Sequence, residues 1–502
     1  MMGHEKQNQG QLFYTRFNLE RRVRQDHLLR RIARYLDFDF IYNEVKETYG
    51  QRGNVSIPPP VILKMMLLLI LYNVRSEREL METIPERLDW LWFLGYDLDD
   101  EIPNHSVLSK ARARWGVKAF QKFFELIVWQ CVEAGLVDGR KLFMDGSLID
   151  ANASNNSVVK QRDMRPYLIQ SYRTLESRLE DQDAKCDNDD STPKSGRANR
   201  KHTSTTDPDA SVVRMGKGKS KLRYQIHRGV DEKTEIITAT EVTPGEVNEA
   251  HRMTALVNQH QENTGEKIET VVADSKYGTI DNYLSCHALG IASHFESLDK
   301  SHRNSGRRKG IFPASVFIYN AAEDLFICPA GERLTRRSYY KKRNHYEYSA
   351  GPKVCAQCRL RNQCTRAKTG RTLKRHARQD DLDRMLACSE NRMAKRDIKK
   401  RQHLMERSFA HSSRYGFKRA RWRRLWRVQI QEYLTAAIQN IKVLIRSFKD
   451  QSKTVAMRAV QNPYGRKPLP LLPRRPDSFY FKTMLSCQQL TLQWIGSTVR
   501  YT

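Results

Sequence analysis

The sequence lacks an apolar run long enough to cross a membrane as a helix. Its most apolar stretch, residues 61–72, is interrupted by Lys64 and is far shorter than the roughly 20 residues that a spanning helix needs. The first residues, MMGHEKQNQGQ, are polar and do not resemble the apolar core of a secretory signal. We therefore expect a cytoplasmic protein without a membrane span.

Cysteine is too sparse for a disulfide framework. The chain has nine cysteines among 502 residues, an odd number, whereas disulfide scaffolds are short, secreted and cysteine-rich. Internal repeats are also not visible. At this length we expect two to four domains, each with its own hydrophobic core.

Acidic residues are too few to balance the basic ones. The chain has 87 Lys and Arg against 57 Asp and Glu, which gives a net charge of +30. Such an excess is difficult to explain without a polyanionic partner. Because no membrane anchor accompanies it, the charge favours a nucleic-acid partner.

The first part of the chain has a helical pattern from residue 21 to about residue 116. Ser76 and Glu79 form a capping-box signature, and the short helix predicted at 107–115 is basic. These helices are compatible with a helix-turn-helix DNA reader and equally with plain packing helices. The basic residues are spaced by two, so they spread around the helix: Lys110, Arg112 and Arg114.

Short apolar strands follow a helix predicted at 118–134. The segments 141–144, 222–227 and 234–242 are typical of strands, and the last two form a plausible hairpin. Further strands alternate with helices up to residue 295. This order predicts a mixed α/β fold. The polar segment 151–221 is typical of an insertion that is at least partly disordered.

Two aspartates follow predicted strands, and one glutamate lies in a basic helix. Asp145 comes after KLFM, Asp274 comes after IETVVA, and Glu406 lies within KKRQHLMERSF. Carboxylates held together at a sheet edge are ligands for the paired divalent cations used in phosphoryl transfer. An aspartate after a strand is also common turn chemistry, so spacing alone does not decide between the two interpretations.

Three segments closely resemble, in order, the catalytic blocks of bacterial insertion-sequence transposases of the DDE class. These segments are FMDGSLIDANAS, VVADSKYG and MERSFAHSSRYGFKRARWRRLWRVQIQEYLTAAIQNIKVLI. The N-terminal segments QDHLLRRIARYLDF and SVLSKARARWG resemble the helical N-terminal domain of the same enzymes. Each block is weak alone, and their combination is specific.

The resemblance implies both a fold and a reaction. It implies a ribonuclease-H-like catalytic core interrupted by insertions and preceded by an all-α domain, an α+β or mixed α/β architecture. It places the catalytic, metal-binding acids at Asp145, Asp274 and Glu406. It also implies Mg²⁺- or Mn²⁺-dependent cleavage and strand transfer at terminal inverted repeats, with double-stranded DNA as both element end and target.

One position departs from the family pattern. The family often has a Lys seven residues after the Glu, where this sequence has Ser413. Either Arg414 or Lys418 substitutes for that Lys, or activity is reduced. Asp150 is a less favoured alternative to Asp145. A catalytically inactive DNA-binding relic of an element, or a zinc-stabilised nuclease that does not join ends, remains an alternative function.

Four cysteines cluster late in the chain. A CxxC pair with two further cysteines is the usual ligand supply for structural zinc, and the alternative is four reduced, partly buried thiols. His345 or His376 is a candidate to replace one sulfur. The predicted Zn²⁺ ligands are Cys328, Cys355, Cys358 and Cys364.

The segment around the third acid is rich in arginine and aromatic residues. Arg side chains bind phosphates and aromatic rings stack on unpaired bases, although some of these rings are equally expected in the core. The predicted DNA contacts here are Arg407, Arg414, Lys418, Arg419, Arg421, Arg423 and Arg424.

The expected organisation follows from these patterns. We expect a homodimer on paired DNA ends, because two ends are joined in one event, and a nucleoid-associated bacterial protein. The predicted parts are a flexible N-terminus (1–20), a helical DNA-binding domain (21–135), a catalytic domain (138–300 and 390–450), a polar insertion (151–221), a cysteine-rich insertion (301–389) and a C-terminal tail (451–502).

Overall fold

The computed structural model describes residue 2 and residues 18–50, 54–160, 197–216, 218–295 and 310–461. For residues 197, 198 and 449–461 only the backbone is described. The chain divides into two compact units, 1–447 and 448–502. Of the second unit, the structure describes Phe448 and the backbone of residues 449–461 at the end of a helix. The expected flexible N-terminus lies mostly outside the described residues, as do most of the polar insertion and of the C-terminal tail.

The first part of the chain is helical, as predicted. Ser76 caps one helix by accepting a hydrogen bond from the Glu79 backbone N–H (3.1 Å), which confirms the capping signature. The last helix breaks at Gly116, where φ is 64°. The helices are α1 (Leu19–Arg22), α2 (Leu28–Tyr35), α3 (Phe40–Val45), α4 (Pro59–Leu71), α5 (Glu77–Thr83), α6 (Leu88–Leu94) and α7 (Ser106–Glu133).

A six-stranded mixed sheet follows. Along the sheet, β6 and β4 pair with one side of β5, and the order continues from β5 through β1 and β7 to β8. β1 is antiparallel to β5 and parallel to β7, which is parallel to β8. The strands are β1 (Lys141–Asp150), β4 (Ser211–Arg214), β5 (Ser220–Asp231), β6 (Ile237–Pro244), β7 (Thr270–Ala273) and β8 (Ala292–Phe295). Between β1 and β4 lie a two-stranded sheet, β2 (Val158–Lys160) with β3 (His202–Ser204), and helix α8 (Arg197–Lys201).

Helices pack on this sheet and confirm the predicted mixed α/β core. Helices α9 and α10 pack their apolar residues with β1 and β7, and Leu382 and Met385 of α13 join the same buried cluster. These later helices are α9 (Met253–Thr264), α10 (Ile280–Leu289), α13 (Gln379–Glu390), α14 (Arg392–Ser413) and α15 (Leu425–Gln461).

Helix α14 is attached to the sheet by charged side chains. The carboxylate of Asp397 pairs with His294 Nδ1 on β8 (2.8 Å) and with Lys141 Nζ on β1 (3.2 Å). Asp397 and His294 are both buried. One turn further along α14, Arg401 contacts Asp145 in β1.

A second, five-stranded antiparallel sheet lies between β8 and α13. Its strands follow one another from β9 to β13, and a small core forms around Phe317, Leu334, Tyr348 and Leu373. The elements are β9 (Ile318–Asn320), β10 (Leu325–Ile327), β11 (Arg333–Tyr340), β12 (His345–Ser349), α11 (Pro352–Ala356), α12 (Arg361–Cys364) and β13 (Thr372–His376).

Candidate active site

Three carboxylates meet beside the centre of the mixed sheet. The ligand oxygens of Asp145, Glu249 and Asp274 all lie within 4.8 Å of one another. Asp274 directly follows β7, as predicted. Asp145 lies within β1 rather than at its end, because β1 continues to Asp150 and pairs with β5 along nearly its whole length. This corrects the expectation that both aspartates end their strands.

Glu249 reaches the aspartates from a short 3₁₀ turn that follows β6. Asn248 caps this turn by accepting a hydrogen bond from the Ala250 backbone N–H (3.1 Å). Glu249 is only 4% exposed. Its Oε1 accepts hydrogen bonds from Gln225 Nε2 (2.5 Å) and Lys276 Nζ (2.8 Å). Its Oε2 is buried and has no hydrogen-bond partner among the described residues.

Asp145 is held by a cation and by the backbone. Its Oδ2 accepts a hydrogen bond from Arg401 Nη1 (2.7 Å), and its Oδ1 accepts one from the Gly146 backbone N–H (2.8 Å). Burial raises the pKa of Asp145 to about 6, although Arg401 and the Gly146 N–H act in the opposite direction. The charges of Asp274 and Glu249 raise it further.

The charges at the site do not balance. Three carboxylates face two cationic side chains, Arg401 and Lys276. The hydroxyl of Tyr277 is fully buried and lacks a hydrogen-bond partner in the described part of the chain. Hard oxygen ligands with an excess negative charge fit a divalent cation such as Mg²⁺ or Mn²⁺.

Asp150, the less favoured alternative to Asp145, has other partners. Its carboxylate pairs with Lys221 (2.8 Å) and Arg223 (2.9 Å). Ser413, at the position of the family Lys, lines an open cavity of about 350 Å³ together with Ser147, Asp150 and Lys418. Lys418 therefore lines the same cavity as Ser413, which stands where the family often has a Lys.

The predicted DNA contacts fall into two groups. Most are exposed, namely Lys110, Arg114, Arg407, Arg414, Lys418, Arg419, Arg423 and Arg424. The prediction that Arg112 contacts DNA is corrected. Arg112 is buried and forms an ion pair with Glu77, and its Cζ lies 4.0 Å from the centre of the Trp422 ring. Its burial leaves no guanidinium surface for phosphate.

The prediction that Arg421 contacts DNA is also corrected. Its guanidinium donates to the backbone carbonyl of Val74 and to Asn73 Oδ1 (2.6 Å), so it joins the N-terminal helices to the segment that precedes α15. Two aromatic residues of the same segment, Tyr415 and Phe417, are buried. The stacking role considered for them is therefore replaced by core packing.

The four predicted zinc ligands converge. Cys328, Cys355, Cys358 and Cys364 line one cavity of about 30 Å³, and neither His345 nor His376 is in its lining. Burial raises the pKa of the Cys364 thiol, and the three neighbouring cysteines raise it further against the effect of Arg371. Within the described chain, no three of these sulfur atoms all lie within 4.8 Å of one another.

Comparisons with known families match two separate segments of the chain. Residues 17–114 match the profile described as a transposase domain (DUF772), and residues 327–445 match the profile described as a transposase DDE domain. These two matches support an insertion-sequence transposase of the DDE class. No curated protein and no solved structure matches the chain in the same comparisons.

The matched DDE domain of this transposase contains Glu406 and the four-cysteine cavity, whereas Asp145, Glu249 and Asp274 lie between the two matched regions. Glu406 is exposed on α14 and accepts a hydrogen bond from Gln402 Nε2 (3.2 Å). It is not a member of the carboxylate cluster. The structure thus brings together two of the three predicted acids and adds Glu249.

Sequence reasoning missed Glu249 because an acid just after a cap residue is ordinary at the start of a helix. The available signal was weak, because Glu249 lies five residues after the end of β6, in PGEVNEA, whereas Asp274 directly follows β7. None of the described helices of the transposase is both long and apolar enough to cross a membrane.

Proposed function

We propose that this transposase cleaves DNA at the terminal inverted repeats of an insertion sequence and joins the freed ends to target DNA. The observation that carries the proposal is the cluster of Asp145, Glu249 and Asp274. Their oxygens lie within 4.8 Å of one another and include a buried oxygen that has no partner among the described residues. DNA is the substrate that the family implies. The finer chemistry is our proposal.

Asp145 and Asp274 are the residues that we propose hold a divalent cation, Mg²⁺ or Mn²⁺. When bound, such a cation supplies activation of the attacking hydroxyl and stabilisation of the leaving oxygen. Arg401 bonds to one oxygen of Asp145 and holds that carboxylate in place (2.7 Å). It also brings a positive charge next to the position of the reacting phosphate.

Glu406 is proposed, from the resemblance, as the third acid of the reaction. It lies on α14, the helix that also carries Arg401. Its carboxylate is exposed and has a single hydrogen-bond donor in the described chain, Gln402. An exposed acid of this kind is free to change rotamer when DNA binds.

The exposed basic residues are proposed to bind the DNA backbone. Phosphate contacts of this kind position the duplex without reading its sequence. Lys418 and Arg419 lie at the end of β1, where Ala420 N donates to Asp150 O (2.8 Å). We propose that two copies act on paired ends, because joining two ends in one event requires two active sites.

The four-cysteine cavity is proposed to hold a structural Zn²⁺. Four cysteine ligands leave no open position for substrate, so its role is to stabilise the five-stranded sheet. The sulfur atoms must approach one another for tetrahedral binding. All four cysteines line the same cavity of about 30 Å³, which supports this proposal.

The test is strand transfer by the purified full-length protein. Labelled DNA that carries the element's own ends is incubated with Mg²⁺ or Mn²⁺, beside Asp274→Asn. Joined products that need metal and disappear in the variant support the transposase. Cleavage without joined products indicates a nuclease, and specific binding without any product in the wild type indicates an inactive relic. Either result overturns the proposal.

A further inference from the structure

We infer that Glu249 is a metal ligand, and that Asp145, Asp274 and Glu249 bind one divalent cation before DNA arrives. The inference rests on the proposed metal-dependent function, and it assigns to Glu249 a role that does not come from the resemblance, which names only Asp145, Asp274 and Glu406. It also gives Glu249 and Glu406 different roles in metal binding. We infer that the first holds metal in the free protein and that the second is not needed for that binding.

The first argument is the state of the Glu249 carboxylate. One oxygen is fixed by two donors, Gln225 Nε2 and Lys276 Nζ, while the other is buried without a partner in the described chain. A buried carboxylate oxygen without a partner is unfavourable, because the hydration that it loses on burial is not replaced. A cation shared with Asp145 and Asp274 removes that cost, since all three acids present oxygens within 4.8 Å of one another.

The second argument is the space made for Glu249. A Cβ at Gly146 would lie 2.7 Å from Glu249 Cδ and 2.8 Å from Gln225 Nε2, closer than real Cβ contacts. The backbone of Gly146 does not have a positive φ. Glycine at this position is therefore explained by the close approach of Glu249 to β1, next to Asp145, and not by a turn.

The third argument is rigidity. The 3₁₀ turn that carries Glu249 is capped by Asn248, and Asn282 Nδ2 on α10 donates to the carbonyl of Ala250 in the same turn (3.0 Å). The same Asn282 amide donates to the carbonyl of Tyr277, just after Asp274 (3.0 Å). One side chain thus ties the Glu249 turn to the Asp274 turn.

The buried hydroxyl of Tyr277 is a second observation that supports a ligand at this site. The Tyr277 hydroxyl is fully buried and has no hydrogen-bond partner in the described residues. Tyr277 ends the 3₁₀ turn that follows Asp274. Burial raises the pKa of its hydroxyl, and the charges of Glu249, Asp145 and Asp274 raise it further. A hydrated cation supplies the water that such a hydroxyl needs.

The experiment measures Mn²⁺ binding to the full-length protein without DNA. Mn²⁺ is titrated into the protein, and free Mn²⁺ is followed by its electron paramagnetic resonance signal. We expect Glu249→Gln to weaken binding at least tenfold and Glu406→Gln to change it less than twofold. Glu262→Gln, an exposed acid on α9, is the control for loss of one negative charge. Circular dichroism and thermal unfolding establish that each variant is folded.

A second variant, which leaves all three acids unchanged, tests the inference independently in case Glu249→Gln does not fold. Gly146→Ala adds only the methyl group that collides with Glu249. We expect it to weaken Mn²⁺ binding at least fivefold. In a second readout, Fe²⁺ bound at the site and supplied with ascorbate and peroxide cleaves the backbone near residues 145, 249 and 274 in wild type. We expect that pattern to be lost in Glu249→Gln.

The outcomes separate the inference from the proposed function. If Glu249→Gln and Gly146→Ala bind Mn²⁺ as wild type does while Asp274→Asn does not, Glu249 is not a ligand and the aspartate site stands. If wild type binds Mn²⁺ only when DNA is present, the inference is overturned although strand transfer persists. If Asp274→Asn also leaves Mn²⁺ binding unchanged, the proposed metal site itself fails, and the inference with it.

Discussion

Arg228 and Glu432 form a bidentate ion pair in which neither side chain is exposed to solvent. Arg228 Nε and Nη2 donate to the two carboxylate oxygens of Glu432 at 2.6 and 2.8 Å. Arg228 also donates to the backbone carbonyl of Ser408 (3.1 Å), and Thr240 donates to Glu432 (2.7 Å). The pair therefore joins β5, β6, α14 and α15 in the centre of the protein.

Removing one partner of this pair is expected to lower the protein's free energy of unfolding. Glu432→Ala leaves the Arg228 charge buried and unpaired, which costs about 3–5 kcal/mol. Urea unfolding at pH 7 measures the loss. The double variant Arg228→Met/Glu432→Leu is the control, because it removes both charges and is expected to recover most of the stability. A loss below about 1 kcal/mol in Glu432→Ala would contradict this prediction.

The buried histidine on β5 makes stability depend on pH. Burial lowers the pKa of His227 to about 3, from an ordinary value near 6.5. Below pH 6.5 the unfolded chain gains a proton that folded His227 does not, so His227 costs stability as pH falls from 6.5 towards 3. The slope is about 1.4 kcal/mol per pH unit for one such group.

His227→Gln is expected to flatten this dependence. Urea unfolding between pH 6.5 and 5 compares the slope of the variant with that of wild type. His403→Gln is the matched control, since His403 is exposed on α14. If the variant at 227 has the wild-type slope, His227 takes up its proton in the folded state and the prediction fails.

Substitutions of two basic residues of α7 are expected to differ in their effects on stability and on DNA binding. Arg112 is buried against Glu77 and Trp422, whereas Lys110 is exposed. We expect Arg112→Ala to cost about 3 kcal/mol in urea unfolding, because Glu77 keeps a partly buried charge. Lys110→Ala is expected to change stability by less than about 0.5 kcal/mol. Only Lys110→Ala is expected to reduce the salt dependence of DNA binding in the folded protein.

Lys418 is expected to replace the family Lys that is Ser413 in this chain. Both positions line the same cavity beside Asp150. Lys418→Ala is expected to lower the strand-transfer rate about tenfold, the effect of one phosphate contact of about 1.4 kcal/mol. Adding Ser413→Lys to Lys418→Ala should restore most of that rate. Arg414→Ala is the comparison, and a larger loss there than in Lys418→Ala would assign the role to Arg414 instead.

The cysteine cavity is expected to release one Zn²⁺ per chain. Zinc is counted in the purified protein with a chromogenic chelator after the thiols are blocked with a mercurial. Cys358→Ser is expected to lose the ion and to lower the thermal midpoint. Cys388→Ser is the control, because Cys388 lies on α13 and not in the cavity lining. Full zinc content in Cys358→Ser would exclude the quartet as its site.

Much of the fold was predictable from local patterns. The apolar segments at 222–227 and 234–242 are the paired strands β5 and β6, and the helix predicted around Glu406 is α14. These elements follow from periodicity and cap residues, which act over a few positions. The break at Gly116 was predictable for the same reason, because the helical patterns end and restart on either side of it.

The active site was predictable only in part. Asp145 and Asp274 were found because each follows an apolar strand pattern. Glu249 was not found, because its role depends on burial, on the neighbouring Gly146 and on the pairing of β5 with β1, which are tertiary properties. Arg112 was misassigned for the same reason, since charge in the sequence does not reveal which arginine is covered by a tryptophan.

The contact between Gly146 and Glu249 has a consequence for the spread of the element. Any base change at the first or second position of a glycine codon replaces glycine, and the smallest coded side chain, alanine, already collides with Glu249. Because we infer that Glu249 binds metal, we expect one point mutation in codon 146 to silence a copy while leaving its acidic residues and its exposed basic residues unchanged. Such copies would still occupy element ends and compete with active ones.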